Sequence, residues 1–239
     1  MSASVAGPAA RAEATTVSPA EFPQLLMTAA ARPASDPERP DVVLQLLRRW
    51  SASDAAAAAG WALDQEAVPL DLALAALFDG LAARPPEAVA LARALAGLYP
   101  ELAPDLGSHV VAALGRAGAH EAAAGFAAAQ DEPAAAGWTT TAYFEWGRAD
   151  PHRALPALDG VANADRRHAA FQALVSGWAK TDPQGLLDAY PGFPPGWDQR
   201  FAVVTGLRAL IQRDPDAAAA WIQRARLPFD PDWDLVLAD

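Results

Sequence analysis

The sequence predicts an all-α fold, a right-handed α-solenoid of about six stacked helical hairpins. Three observations carry that expectation. The dipeptide Asp-Pro recurs at Asp150-Pro151, Asp182-Pro183 and Asp214-Pro215, each 32 residues after the last. A fixed period of this size marks stacked supersecondary units. Alanine makes up about a quarter of the 239 residues, whereas Val and Ile are too sparse for a sheet; alanine is the best helix former and lets helices approach closely. Apolar residues also fall in columns at helical spacing.

The columns define the units. Four residues before each Asp stands a large apolar residue: Trp146, Trp178 and Leu210. Stepping back by 32 gives Leu114/Gly118, Ala82/Pro86 and Trp50/Asp54. Four residues after the Asp position come Ala58, Ala90, Ala122, Ala154, Leu186 and Ala218. Eight after it come Ala62, Ala94, Phe126, Leu158, Tyr190 and Ile222, which completes one apolar face of a helix. In the preceding helix the column three residues before the Trp position reads Leu47, Asp79, Val111, Tyr143, Val175 and Leu207, so Asp79 breaks the pattern.

Taken in order, residues 1–17 read as a disordered leader of Ala, Ser, Thr, Gly and Pro, and 18–239 as a single helical-repeat domain. Order starts at Ser18-Pro19-Ala20-Glu21, where Ser can cap, Pro sits at the first helical position and Glu can close a capping box. This helix is expected at 19–31, with Pro23 distorting its first turn. Hairpins then follow at 41–51/54–66, 70–83/86–98, 105–117/119–130, 134–148/151–160, 164–180/183–190 and 198–212/215–226. Asp before each second helix accepts a hydrogen bond from a free N–H and meets the positive helix end, worth about 1 kcal/mol. The adjacent proline loses nothing, because the N–H it lacks has no partner in a first turn. Pro156 is expected to shorten its helix, and Asp230-Pro231-Asp232-Trp233 reads as a truncated unit or C-terminal cap.

The Asp-Pro junction with a Trp or Ala six residues beyond the proline, Trp221 after Pro215 and Ala157 after Pro151, resembles the tetratricopeptide repeat, in which a proline ends one unit and a Trp opens the next. It is closer to the Trp-Ala-x-x-Asp-Pro-x-x-Ala helical repeats of uncharacterised bacterial proteins, with Trp178-Ala179-Lys180-Thr181-Asp182-Pro183 and Trp146-Gly147-Arg148-Ala149-Asp150-Pro151 as the best copies. The resemblance spans residues 41–227 and is strongest in the last three units. It implies an α-solenoid that binds other proteins, with no catalytic residues to carry over.

Composition narrows the function classes. A net charge of −11 with pI near 4.7 argues against sequence-independent nucleic-acid binding. Without cysteine there are neither disulfides nor thiolate metal sites. The first 17 residues lack the pattern of a signal peptide, and no long uncharged apolar run suggests a membrane span. The expected location is the cytoplasm.

The search for chemistry returns little. His109, His120, His152 and His168 form no metal-binding spacing. Asp230, Asp232 and Asp234 alternate as a calcium loop begins, but the required Gly is absent. No serine or threonine has a nucleophile-elbow context, so neither catalytic residues, cofactor nor metal is expected. The tryptophans at fixed register read as core. Phe193 and Trp197 belong to the Pro-rich loop 190–197, a docking point or a loop folded back over the junction it closes. Arg166, Arg167 and Arg200 stand near the starts of neighbouring first helices and could form a ridge for an acidic peptide, or pair with Asp165 and Asp198. The leading expectation is a non-enzymatic protein–protein interaction scaffold or adaptor, with another protein or a peptide as partner. The alternatives are a small-ligand-binding or enzymatic helical domain with a groove site, and a structural or regulatory domain of a larger assembly.

Overall fold

The structure, a computed structural model, describes residues 17–130, 134–193 and 198–225. Among them it is all-helical: α1 (Phe22–Ala30), α2 (Arg39–Ser51), α3 (Ala55–Asp64), α4 (Leu70–Leu81), α5 (Pro85–Leu98), α6 (Ala103–Arg116), α7 (His120–Ala128), α8 (Ala135–Ala149), α9 (Pro151–Ala157), α10 (Ala164–Thr181), α11 (Pro183–Ala189), α12 (Gln199–Arg213) and α13 (Pro215–Arg224). Four short 3-10 turns join them, and no strand occurs among the described residues. None of these helices is long and apolar enough to cross a membrane. The expected C-terminal cap at 230–233 and nearly all of the 1–17 leader lie outside the described residues.

Local chemistry sets the helix starts. Asp54, Asp150, Asp182 and Asp214 each accept a hydrogen bond from the backbone N–H three residues on, at 2.9–3.2 Å. Asn163 and Asp198 do the same for α10 and α12. The two intervening second helices differ. α5 begins at Pro85, one residue before the expected Pro86, behind an uncapping Arg84. α7 begins at His120 behind Ala119, also without a side-chain cap, and Gly118 before it turns the chain at φ 76°. Positive φ is what glycine supplies there. Pro156 stands inside α9, which ends one residue later and passes into a 3-10 turn, Leu158–Gly160. At the start of the chain a 3-10 turn, Pro19–Glu21, precedes α1, and the Glu21 carboxylate accepts from the Ser18 N–H at 2.7 Å.

The even-numbered helices pack in succession, α2 on α4, α4 on α6, α6 on α8, α8 on α10 and α10 on α12. Each odd-numbered helix from α3 to α11 packs against the even-numbered helix before it and the one after it. Odd-numbered helices do not pack extensively on one another among the described residues, and the surface opens into grooves between them. Small residues let the even helices meet closely. A Cβ at Gly147 would run into the Leu174 carbonyl oxygen, and one at Gly177 into that of Phe144, so α8 and α10 touch backbone to backbone. Ser51, three 32-residue steps before Gly147, is fully buried and donates to Leu77 O at 2.7 Å.

Of the tryptophans at fixed register, Trp61 is only half-buried and the others lie in the core. Trp50, Trp146, Trp178 and Trp221 are all 5% exposed or less. Trp50 stacks on Phe22 at 6.1 Å between centroids, and Trp221 meets Tyr190 edge-on at 6.0 Å. Trp138 covers Gly107, where any Cβ would collide with the indole, and its N–H donates to Ser108 Oγ at 3.0 Å. Flat, large side chains at fixed register fill the space between consecutive pairs, which offsets the small volume that alanine provides.

Candidate groove and charged ridge

A cavity of about 570 Å³ lies between the start of α7 and the α8–α9 junction. Gly118, His120, Glu121, Trp146, Asp150 and Arg153 line it. A second cavity of about 240 Å³ shares Glu121 and Trp146 and continues towards Tyr143, Ala157 and Gly160. The two form one groove with a tryptophan floor and a charged rim. The α7 start is uncapped on one side of it, whereas across it Asp150 is committed to capping α9 through the Arg153 N–H at 3.2 Å.

Most polar groups of the groove already hold its walls together. Arg153 Nη2 donates to Glu121 Oε2 at 3.0 Å, joining α9 to α7. Both side chains are about 70% exposed, so this pair contributes little to stability and can exchange with a ligand. Tyr143 OH donates to Ala157 O at 2.8 Å. Burial, with Asp159 adding to it, pushes this phenol up to about 12. His120 Nδ1 is buried without a hydrogen-bond partner among the described residues. Desolvation holds this imidazole below its ordinary 6.5, against the opposing pull of the Glu145 carboxylate. A neutral His120 therefore presents an acceptor or donor, according to tautomer, rather than a charge.

On the even-numbered helices a ladder of charge runs past the same junction. Asp79 takes Arg48 at 3.3 Å on one side and Arg116 at 2.5 Å on the other, tying α4 to both α2 and α6. The break in the apolar column at Asp79 is thus an interhelical bridge. Arg116 and Glu145 border a further cavity of about 260 Å³ between α6 and α8, and Glu145 pairs with Arg148 at 3.2 Å.

The residues singled out in the sequence do not converge. Phe193 is 4% exposed, edge-on to Phe171 at 5.7 Å and tilted against Trp178 at 6.3 Å, so it closes the core and presents no surface to a partner. Trp197 lies outside the described residues. Arg166 donates to Gln130 O at 2.5 Å and Arg167 to Val161 O at 3.4 Å, so their partners here are carbonyls, while Asp198 caps α12. Arg200 is the second residue of α12. The other histidines are dispersed: His109 Nε2 lies 3.0 Å from Asp71 Oδ1, His152 sits edge-on to Trp178 at 5.0 Å, and His168 meets Gln172. No group of three or more His, Cys, Asp or Glu among the described residues is placed to hold a metal ion.

His120, Glu121, Trp146 and Arg153 were not singled out as a site, although the sequence carries two signals. Gly118 replaces the capping Asp of its column, and Glu121 and Arg153 are opposite charges one period apart. Compared with known protein families, curated proteins and solved structures, the chain matches none.

Proposed function

We propose that this chain is a right-handed α-solenoid of about six helical hairpins at a 32-residue period, serving as a non-enzymatic scaffold for protein–protein interaction. The observation that carries this reading is the groove between α7 and the α8–α9 junction. It joins an apolar tryptophan floor to exposed, exchangeable charges on neighbouring pairs of helices. Buried aromatics with arginine at the edge are the composition of an interface hot spot. Every carboxylate and hydroxyl whose bond is described there accepts from or donates to the walls, and none stands beside a nucleophile as a base would. Successive packing of the even-numbered helices supports the stacked architecture, because such arrays leave extended surfaces along their length.

The test is capture of a partner from the native host with groove variants as controls. Glu121→Arg and Arg153→Glu alter the groove lining at side chains that are about 70% exposed and leave the buried columns intact. A stoichiometric partner retained by the wild type and lost by both variants, with helical circular dichroism unchanged, is the expected outcome. Equal retention by wild type and variants, or no stoichiometric partner, contradicts the reading.

A further inference from the structure

The α7–α9 groove is bare where neighbouring gaps are filled. Its inner part, about 240 Å³, has Tyr143 and Trp146 as floor, with Gly125 and Ala129 on one wall and Ala157 and Gly160 on the other. The 32-residue period shows what these positions hold elsewhere. One column reads Trp61, Arg93, Gly125, Ala157, Ala189 and Trp221, and two consecutive small members, Gly125 and Ala157, line this groove from α7 and from α9. Phe193 stands two periods after Ala129.

The other floors are covered by rings of the chain itself. Trp178, one period after Trp146, meets His152 edge-on at 5.0 Å and Phe193 at 6.3 Å. In the groove between α11 and α13, Trp221 meets Tyr190 edge-on at 6.0 Å. Trp146 has Tyr143, its companion in the floor, as its ring neighbour among the described residues. A Cβ at Gly125 or Gly160 would meet nothing within 4 Å. The open space therefore has the register and size of an aromatic side chain, the kind that dominates interface energetics.

The walls also select the backbone of an occupant. The carbonyls of Gly125 and Ala127 accept from Ala129 N and Gln130 N, that of Phe126 from Gln130 Nε2, and that of Ala157 from Tyr143 OH. An extended peptide finds few partners there, and burying an unpaired amide is costly, whereas a helix satisfies its own N–H and C=O groups. α7 is nine residues long, about 14 Å, so side chains one helical turn apart both fit along it. Charge gathers in the wider part, where Arg153 and Glu121 bridge the walls at 3.0 Å, each about 70% exposed.

We propose that the α7–α9 groove receives an amphipathic helix of a protein partner, with an aromatic side chain in the inner part and a second large apolar one a turn away over Trp146. An acidic and a basic residue of that helix meet Arg153 and Glu121, whose exposed pair exchanges at little cost. The inference rests on the scaffold reading and adds the partner's chemistry.

The probe is a fluorescein-labelled peptide, Glu-Ala-Ala-Ala-Lys-Phe-Ala-Ala-Ala-Trp-Glu-Ala-Ala-Ala-Lys, held helical by a Glu–Lys lactam and added to the full chain. Its Phe and Trp share one face. The control peptide has the same composition with Phe and Trp two residues apart, on opposite faces. Anisotropy is expected to show binding that is about tenfold or more weaker for the control. A comparable loss is expected in Gly125→Trp, whose indole restores the residue of its column and fills the groove, while Gly60→Trp on α3 binds as the wild type does. The peptide is also expected to shift the amide resonances of Gly125 and Gly160 and to leave Gly60 unmoved. Should Gly125→Trp lose its helical signal, those shifts in the wild type decide the matter. No binding, equal binding of both peptides, an unaffected and helical Gly125→Trp, or unmoved Gly125 and Gly160 resonances overturns the proposal. An affinity gain of about tenfold or more in full-length Phe229→Ala/Trp233→Ala overturns it too, because the chain's own aromatic residues would then be the occupant. Failure of the peptide with groove-dependent partner capture intact defeats this proposal alone, whereas loss of partner capture with peptide binding intact defeats the scaffold reading.

Discussion

Replacing Gly177 by alanine is expected to lower stability, and the same change at Gly60 to raise it. At Gly177 a new Cβ would overlap the Phe144 carbonyl oxygen and lie 3.1 Å from its carbon and 3.2 Å from Arg148 N. All three atoms are backbone, so no side chain can swing away; α8 and α10 must separate. A shift of about 1 Å forfeits roughly a quarter to a half of each dispersion contact along the seam. Overpacking of this kind costs about 1–3 kcal/mol, to be set against a gain of about 1 kcal/mol from replacing a helical glycine. At the upper end of that range the net loss is about 2 kcal/mol, or about 4–8 °C in Tm for a chain of this size. Gly60 is exposed within α3 and has nothing within 4 Å of a new Cβ, so only the gain remains, about 2–4 °C upward. Far-UV circular dichroism melts of both variants provide the assay. A Gly177→Ala Tm above the wild type, as for Gly60→Ala, refutes the backbone-contact argument. The double variant Gly147→Ala/Gly177→Ala should lose less than the sum, because one separation accommodates both methyl groups.

Three further outcomes follow from named contacts. Asp182→Ala and Asp214→Ala remove the carboxylates that accept from Gly185 N and Ala217 N, each costing about 1 kcal/mol in chemical denaturation, with Asp→Asn restoring most of it. Asp79→Asn weakens both arms of the Arg48–Asp79–Arg116 bridge; since both arginines are about half exposed, the cost stays at or below about 1 kcal/mol and fades with salt, and a loss that persists in high salt contradicts this. Tyr143 has a raised pKa, so the folded state holds its proton and the stabilisation is full below the ordinary value of 10.0 and lost as pH rises through about 12. Unfolding midpoints across that window should fall more steeply for wild type than for Tyr143→Phe.

Much of the fold was legible because helix starts are fixed locally. An Asp carboxylate, a proline and the next few N–H groups suffice, and the expected hairpin boundaries at Asp54, Asp150, Asp182 and Asp214 lie close to the helix ends observed. The starts of α5 and α7 were less legible, since Pro86 and Gly118 carry no side-chain acceptor and the neighbouring chain decides where the first turn forms. Phe193 shows a different limit. A Pro-rich aromatic loop reads alike whether its rings face solvent or a core, and only the proximity of Phe171 and Trp178 selects the core. The groove depends on residues from α7, α8 and α9 meeting across a gap, and apolar periodicity describes what fills space better than what leaves it open. Asp79 was visible as an interruption, but its two partners stand 31 and 37 residues away and become apparent only once α2, α4 and α6 lie side by side.

The claim that the α7–α9 groove receives a protein is tested most directly by a photoreactive phenylalanine derivative placed at Ala122, with Gly60 as the control position on α3. After irradiation in the native host, a single cross-linked protein from position 122, absent from position 60 and abolished by Arg153→Glu, is the expected result. No cross-link at position 122, or the same products from both positions, contradicts the claim.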